Sequence, residues 1–161
     1  MKHWLMKSEP SEASIDDLAQ APNQTLPWTG VRNYQARNFM RDQMQPGDGV
    51  LFYHSSCPQP GIAGLATIVG GLAPDLAQFD PASPYYDPKS QPAAPRWLKI
   101  DVRMERKTRL LSLAEMRQAP ELAQMQVLQR GNRLSITPVS KADWHAVLKK
   151  LAHAGGASTQ G

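Results

Sequence analysis

Between Gly70 and Pro95 the chain carries prolines at 74, 81, 84, 88, 92 and 95, and no hydrophobic period of either kind survives there. Proline has no backbone N–H and holds φ near −65°, so neither a helix nor a central strand can run through such a stretch. The segment is predicted to be a long loop or a wrap over a sheet, a class of connection that often carries function. Regular structure must lie on either side of it.

On the N-terminal side, His3–Lys7 alternates Trp4 and Met6 with other residues and reads as a strand. Ser14 with Asp17 forms a capping-box pair ahead of Ile15, Leu18 and Ala19, which predicts a helix ending before Pro22. Residues 21–34, with Pro22, Pro27 and Gly30, read as irregular. Ala36, Phe39, Met40 and Met44 recur at helical spacing and predict a helix from Gln35 to Met44, closed by Pro46-Gly47-Asp48. Val50–His54 and Ile62–Val69 are β-rich runs and read as strands.

Beyond the proline-rich segment, Arg96–Lys107 reads as a strand with one solvated face. Ser112-Leu113-Ala114-Glu115 is a capping box that opens a short helix, and Pro120 is expected to start another, with Leu122, Met125 and Leu128 inside and Gly131 as its stop. Leu134–Val139 reads as a last strand. Ser140 and Asp143 start a C-terminal helix whose Trp144, Val147, Leu148 and Leu151 share one face. The order of elements predicts one α+β domain over residues 1–152, with 153–161 a flexible tail.

The opening MKHWLMKSEP has no basic region followed by a long apolar run, and Cys57 is the single cysteine. A disulfide-built secreted domain and a membrane-spanning chain are therefore not expected, and the reading is cytoplasmic. His3, His54, His145 and His153 are scattered, with only His54 and Cys57 at a ligand-like spacing, so neither a metal nor another cofactor is expected. Eighteen Lys and Arg against fourteen Asp and Glu give a net charge of +4, and seven of the basic residues fall between Arg96 and Arg117. The balance favours a polyanionic partner.

Phosphate-loop, dinucleotide, nucleophile-elbow and zinc-protease motifs are absent. His54, Ser55 and Cys57 are the best nucleophile-and-base candidates, but no carboxylate stands beside them to orient the base. Aromatic and polar residues instead interleave around the loops. Trp28, Tyr34, Tyr85 and Tyr86 offer flat rings for stacking, with Lys7, Ser8, Asn33, His54, Ser55 and Asp87 near them in sequence to meet a base edge. Trp4 and Trp144 read as core, while for Trp28 packing and stacking stand as equal alternatives.

The segments Trp4-Leu-Met-Lys-Ser-Glu-Pro10, Trp28-Thr-Gly-Val-Arg-Asn-Tyr-Gln-Ala-Arg-Asn-Phe39, Phe52-Tyr-His-Ser55, Ser83-Pro-Tyr-Tyr-Asp-Pro-Lys-Ser90 and Arg130-Gly-Asn-Arg-Leu-Ser135 resemble the EVE domain family, a PUA-like group related to the YTH readers of methylated adenine. The resemblance implies a PUA-like small β-barrel, or a curved, mostly antiparallel sheet flanked by helices, with a pocket for a modified base. It implies that Lys7 and Ser8 line that pocket, that Trp28 is a wall, and that the Tyr85-Tyr86-Asp87 loop is a second side. Thr29 stands where many relatives carry Asp, which leaves Arg32 without the carboxylate partner expected there.

The resulting expectation is a non-catalytic reader of nucleic acid, DNA or RNA, carrying a modified base. Lys7, Ser8, Trp28, Asn33, Tyr34, His54, Ser55, Tyr85, Tyr86 and Asp87 would form its pocket, and Arg32, Arg37, Arg41, Arg130 and Arg133 would meet phosphates. The alternatives are a sensor of a free nucleoside or another planar small molecule and, more remotely, a nucleic-acid-processing enzyme using His54.

Overall fold

The computed structural model describes residues 1–153. The predicted tail from residue 154 onward lies outside them. Six strands, β1 (His3–Ser8), β2 (Thr25–Trp28), β3 (Gly49–His54), β4 (Gly61–Pro74), β5 (Leu98–Ser112) and β6 (Ile136–Val139), form one sheet in the order β2-β5-β4-β3-β1-β6. Only β1 and β3 pair in parallel, and the other neighbours are antiparallel. The order does not return on itself, so the sheet is open and the barrel alternative does not hold.

Alternation along β1 and β3 gives the sheet two buried faces. Trp4, Met6, Val50 and Phe52 point to one, and Leu5, Leu51 and Tyr53 to the other. Helix α1 (Ile15–Gln20) covers the first face with Ile15 and Leu18, and α2 (Tyr34–Asn38) covers it with Ala36. Helix α3 (Leu113–Arg117) and helix α4 (Lys141–Ala152) close the second face with Met116, Trp144, Val147 and Leu151. The hydroxyls of Ser14, Ser112 and Ser140 each cap a helix by accepting from the backbone N–H three residues on. At Ser14 the box closes with Asp17, whereas the box expected at Ser112 does not, because the Glu115 carboxylate is held by Arg109.

Four expected elements differ. The strand expected over Ile62–Val69 continues as β4 to Pro74, so residues 70–74 of the proline-rich segment run along β5, with Ala73 opposite Lys99 and Pro74 opposite Leu98 at the end of the ladder. Thr25–Trp28, expected to be irregular, is the edge strand β2, where Pro27 opposite Asp101 is tolerated because no further strand needs its N–H. The helix expected over 35–44 is α-helical only to Asn38 and then widens into a π-helical turn, Phe39–Gln43, closed by Met44 N–H on the Phe39 carbonyl. The helix expected after Pro120 is instead two 3₁₀ turns, Pro120–Leu122 and Gln126–Leu128. The amide of Gln129 reaches back to the carbonyls of Ala123 and Met125 and holds the kink between them.

The proline-rich wrap is organised by one buried side chain, Gln78. Its amide nitrogen donates to the carbonyls of Asp75 and Trp97 at 2.7 Å each. Its oxygen accepts from Ser90 Oγ and Trp97 N–H. A loop too rich in proline to form a ladder thus satisfies its buried backbone through a side chain.

Candidate functional site

A cavity of about 520 Å³ opens at the Ser8 end of β1, within the size range of ligand pockets. Its floor is Phe52 and Val102 from the sheet and Leu18 from α1. One wall is the strand-to-loop run Leu26 to Val31, and the opposite side is Lys7 to Ala13 with Ser55 and Ser56. Tyr85 from the wrap and Arg133 and Ser135 from the loop before β6 complete the rim.

The cavity exists because the sheet curls. Two strands lie between β2 and β3, so on a flat sheet Trp28 and Phe52 would stand roughly 14 Å apart, at about 4.8 Å per strand. Their rings meet edge to face at 5.3 Å. Trp28 is nine-tenths buried in the first core, as the packing reading has it, and it also lines the cavity.

Tyr85 is fixed from three sides. Its ring lies against Gly30, where an added Cβ would come 3.1 Å from Cζ, a contact possible because Gly30 has φ +81° and no side chain. Its hydroxyl donates to both oxygens of Glu12, at 2.6 and 2.9 Å, tying the wrap to the loop after β1. That hydrogen bond, with burial and the neighbouring charges of Glu12 and Glu9, pushes the phenol up to about 12. Behind the ring, Arg32 lies 5.4 Å from Tyr85 and 5.7 Å from Trp97, Tyr34 stacks on Trp97 at 4.8 Å, and Arg37 covers Tyr34 at 4.9 Å. A continuous ladder, Arg37–Tyr34–Trp97–Arg32–Tyr85, backs this wall.

Arg32 does have a carboxylate partner, although Thr29 supplies none. Asp75, 1% exposed, accepts from Arg32 Nη1 at 3.0 Å, from Gly30 N–H at 2.8 Å and from Ala77 N–H at 3.0 Å. Asp75 lies 43 residues from Arg32, too far for local spacing to signal the pairing. Arg32 also donates to the carbonyls of Val31 and Tyr85, so it holds the wall together instead of facing solvent phosphates.

Of the ten residues expected around a base, Lys7, Ser8, Trp28, Ser55 and Tyr85 line the cavity. The other five lie outside its lining. Asn33 caps α2, accepting from Ala36 N–H. Tyr34 belongs to the ladder behind the wall. His54 Nε2 accepts from Ile15 N–H at 3.1 Å, satisfying an open donor at the start of α1, and burial lowers its pKa. Tyr86 is exposed away from the cavity. Asp87 accepts from Trp97 Nε1 and from Lys89 N–H, bonds that lower its pKa.

Among the five arginines expected at phosphates, Arg37 is occupied by the Arg96 carbonyl and Asn38, and Arg41 by Asp42. Arg133 stands on the rim, and neither it nor the nearby Arg130 forms an ion pair among the described residues. Glu9, Glu12, Thr29, Phe52 and Ser135 line the cavity without having been singled out. Glu9 follows directly on Ser8 inside the Trp4–Pro10 segment, and Glu12, four residues after Ser8, would have been found by extending that segment. Lys7, half-buried with its ammonium 6.0 Å from the Tyr53 ring, has its pKa lowered by desolvation. The His54, Ser55 and Cys57 cluster is no catalytic set, since the imidazole nitrogen that would act as base is spent on the Ile15 amide.

Among the described residues no helix is long and apolar enough to cross a membrane, and no group of three metal-ligating side chains comes together. The family model for the EVE domain matches residues 2–150. The human thymocyte nuclear protein 1 is 42% identical over 91% of this chain and 72% of its own length. A hypothetical protein from Leishmania major superposes with a TM-score of 0.89 at 41% identity, covering 96% of each chain. The human THYN1 protein in complex with 5-methylcytosine-containing DNA superposes with a TM-score of 0.86 at 44% identity, covering 92% of this chain and 96% of that one. The human relative is named a nuclear protein, which overturns the cytoplasmic expectation. A single cysteine reports only a reducing compartment, and nuclear proteins share that condition with cytosolic ones.

Proposed function

The chain belongs to the EVE domain family, and on that premise we propose that it is a non-catalytic reader of DNA that receives a 5-methylcytosine-type base in the cavity beside Trp28 and Tyr85. The observation that carries this reading is the cavity itself. It is large enough for a ligand, walled by the edge of Trp28, the face of Phe52 and the ring of Tyr85, and rimmed by Arg133. A relative 44% identical is solved with DNA bearing that base.

A base inside a duplex has to leave the stack to enter such a cavity, at a cost of a few kcal/mol. Stacking on an aromatic side chain returns about 1–3 kcal/mol per base. Burying one methyl group adds about 0.8 kcal/mol, which favours the methylated base by only about fourfold. Cytosine and 5-methylcytosine carry the same polar groups, so stronger selection for methylation requires a close-fitting apolar recess at the 5-position that the plain base leaves empty. In this reading Ser8 and Ser55, which line the cavity, meet the polar edge of the base, and Arg133 on the rim meets a flanking phosphate together with Arg130, three residues before it in the chain.

The test is a titration of the pure chain with duplexes that differ only in one 5-methylcytosine, repeated at several salt concentrations. With two phosphates neutralised, log K is expected to fall against log salt with a slope of about −1.8. Equal affinity for the plain and the methylated duplex overturns the modified-base reading. Tight, salt-independent binding of free 5-methyldeoxycytidine replaces it with the nucleoside sensor.

A further inference from the structure

The side of the cavity formed by Ser8, Glu9, Glu12 and Tyr85 has an unusual hydrogen-bonding inventory. Ser8 Oγ is 2.6 Å from the Ala13 carbonyl, so its single proton is committed and only lone pairs face the cavity. The Tyr85 hydroxyl is in the same position, its proton given to Glu12. Glu12 retains lone pairs beyond those that receive Tyr85, and Glu9 has no side-chain partner among the described residues. Both carboxylates stand near enough to Tyr85 for their charges to hold its phenol protonated. These four neighbouring groups therefore accept and do not donate, and the cationic donors of the lining are Lys7, before them on β1, and Arg133 on the rim.

We propose that this acceptor wall selects a base by its exocyclic amino group, so that the site takes a 4-aminopyrimidine such as 5-methylcytosine and rejects its 4-oxo counterpart. The inference rests on the modified-base reading above and adds the feature of the base that is read. Thymine is the informative competitor. It carries the same methyl group as 5-methylcytosine, fills the same volume and stacks in the same way, but presents an acceptor oxygen where cytosine presents an N–H₂ donor. A 4-oxo group facing Glu12 and Glu9 leaves acceptors opposed to an acceptor, and the one edge donor of thymine, N3–H, stands a position away, where 5-methylcytosine has a bare acceptor nitrogen. Methyl burial and amino-group readout thus become separable properties of one cavity.

Single-stranded oligonucleotides remove pairing energy from the comparison. Three strands identical except for a central 5-methylcytosine, cytosine or thymine are titrated against the full chain. A single good base-edge contact discriminates by roughly 5- to 150-fold, so the thymine strand is expected to bind weaker than the 5-methylcytosine strand by about tenfold or more. In Glu12→Gln and in Glu9→Gln, where an amide can turn a donor toward the base, that ratio is expected to shrink severalfold, and further in the double variant. Glu9 and Glu12 are exposed loop residues, and thermal melting of each variant verifies the fold. Equal binding of the 5-methylcytosine and thymine strands by the wild type, both tighter than the cytosine strand, overturns the amino-group inference and leaves the modified-base reading standing. So does a folded double variant that keeps the wild-type ratio. Failure of all three strands to bind removes the modified-base reading and the inference with it.

Discussion

Trp28 and Phe52 touch edge to face at 5.3 Å although two strands separate theirs in the sheet, and this contact both closes the first core and forms the inner corner of the cavity. Removing the indole has two consequences that must be separated. Trp28→Ala empties a nine-tenths buried site, and truncating a buried Trp costs about 3–5 kcal/mol. The expected outcome is a large loss of stability by denaturant unfolding, at the lower end of that range because one edge of the ring meets the cavity. Trp28→Phe keeps a flat ring and most of the packing, so it is the variant in which binding is measured.

The ion pair between Arg32 and Asp75 is predicted to set the position of the Tyr85 wall. Asp75 is almost fully buried and receives Gly30 N–H as well as Arg32, so Asp75→Ala leaves a largely buried guanidinium and a backbone donor without their acceptor. Breaking such a pair costs about 3–5 kcal/mol when both members are buried, and Arg32 keeps a fifth of its side chain exposed, so about 3 kcal/mol is expected by urea unfolding. Arg32 Nη2 has no hydrogen-bond partner among the described residues, and the Val31 and Tyr85 carbonyls that Arg32 also meets carry no charge to replace the carboxylate.

What the sequence made legible was what depends on neighbours a few residues apart. The capping box at Ser14 and Asp17, the strand at His3–Lys7 and the face of α4 all follow from local spacing, and all appear. Asn33 carried an equally local signal, an Asn directly before a helical run, and was assigned to a base edge although it is a cap. β2 was hidden by Pro27, which argues against a central strand and is silent about an edge. The partners of Asp75, Gln78 and His54 come from distant parts of the chain, and no periodicity records them. The same holds for the cavity: the motif around Lys7 and Ser8 pointed to it, but the acceptor character of its wall depends on which protons Ser8 and Tyr85 have already given away.

Tyr85 and Tyr53 are predicted to ionise late. Tyr85 is raised to about 12 by its bond to Glu12, and Tyr53 is raised by burial. A folded-state pKa above the unfolded value means that the Tyr85–Glu12 bond contributes fully below about pH 10 and is lost as pH rises through about 12. Followed by phenolate absorbance, the native protein should show a late component that Tyr85→Phe reduces. An unchanged titration in that variant places the late component on Tyr53 alone.

His54 is expected to link stability to mild acid. Its Nε2 accepts from Ile15 N–H only when unprotonated, and burial lowers its pKa from the ordinary value of 6.5. A depressed folded-state pKa gives a contribution that is complete above about 6.5 and lost as pH falls through the lower folded value. His54→Ala should cost about 1 kcal/mol near neutral pH, as for one hydrogen bond, and the wild-type advantage should vanish in acid. Affinity for DNA is expected to be unchanged in this variant, because His54 lies outside the lining of the cavity.

Gly30 and Gly47 together isolate the contribution of the Tyr85 wall to binding. Both residues have positive φ, +81° and +94°, a region where any Cβ is strained. Replacing either by Ala should cost about 1–2 kcal/mol for the backbone conformation alone. The surroundings differ: an added Cβ at Gly47 meets nothing within 4 Å, whereas at Gly30 it comes 3.1 Å from Tyr85 Cζ and 3.2 Å from Cε1. Gly30→Ala must therefore push the ring away from the Leu26 to Val31 wall, and the ring is held in turn by Glu12 and stacked on Arg32. The expected pattern is two variants of similar lowered stability, of which only Gly30→Ala loses affinity for a 5-methylcytosine oligonucleotide. The loss should be roughly tenfold, a part of the 1–3 kcal/mol that stacking supplies. Equal affinity in the two variants would mean that the occupant of the cavity does not touch Tyr85, and that the aromatic contact comes from Trp28 and Phe52 alone.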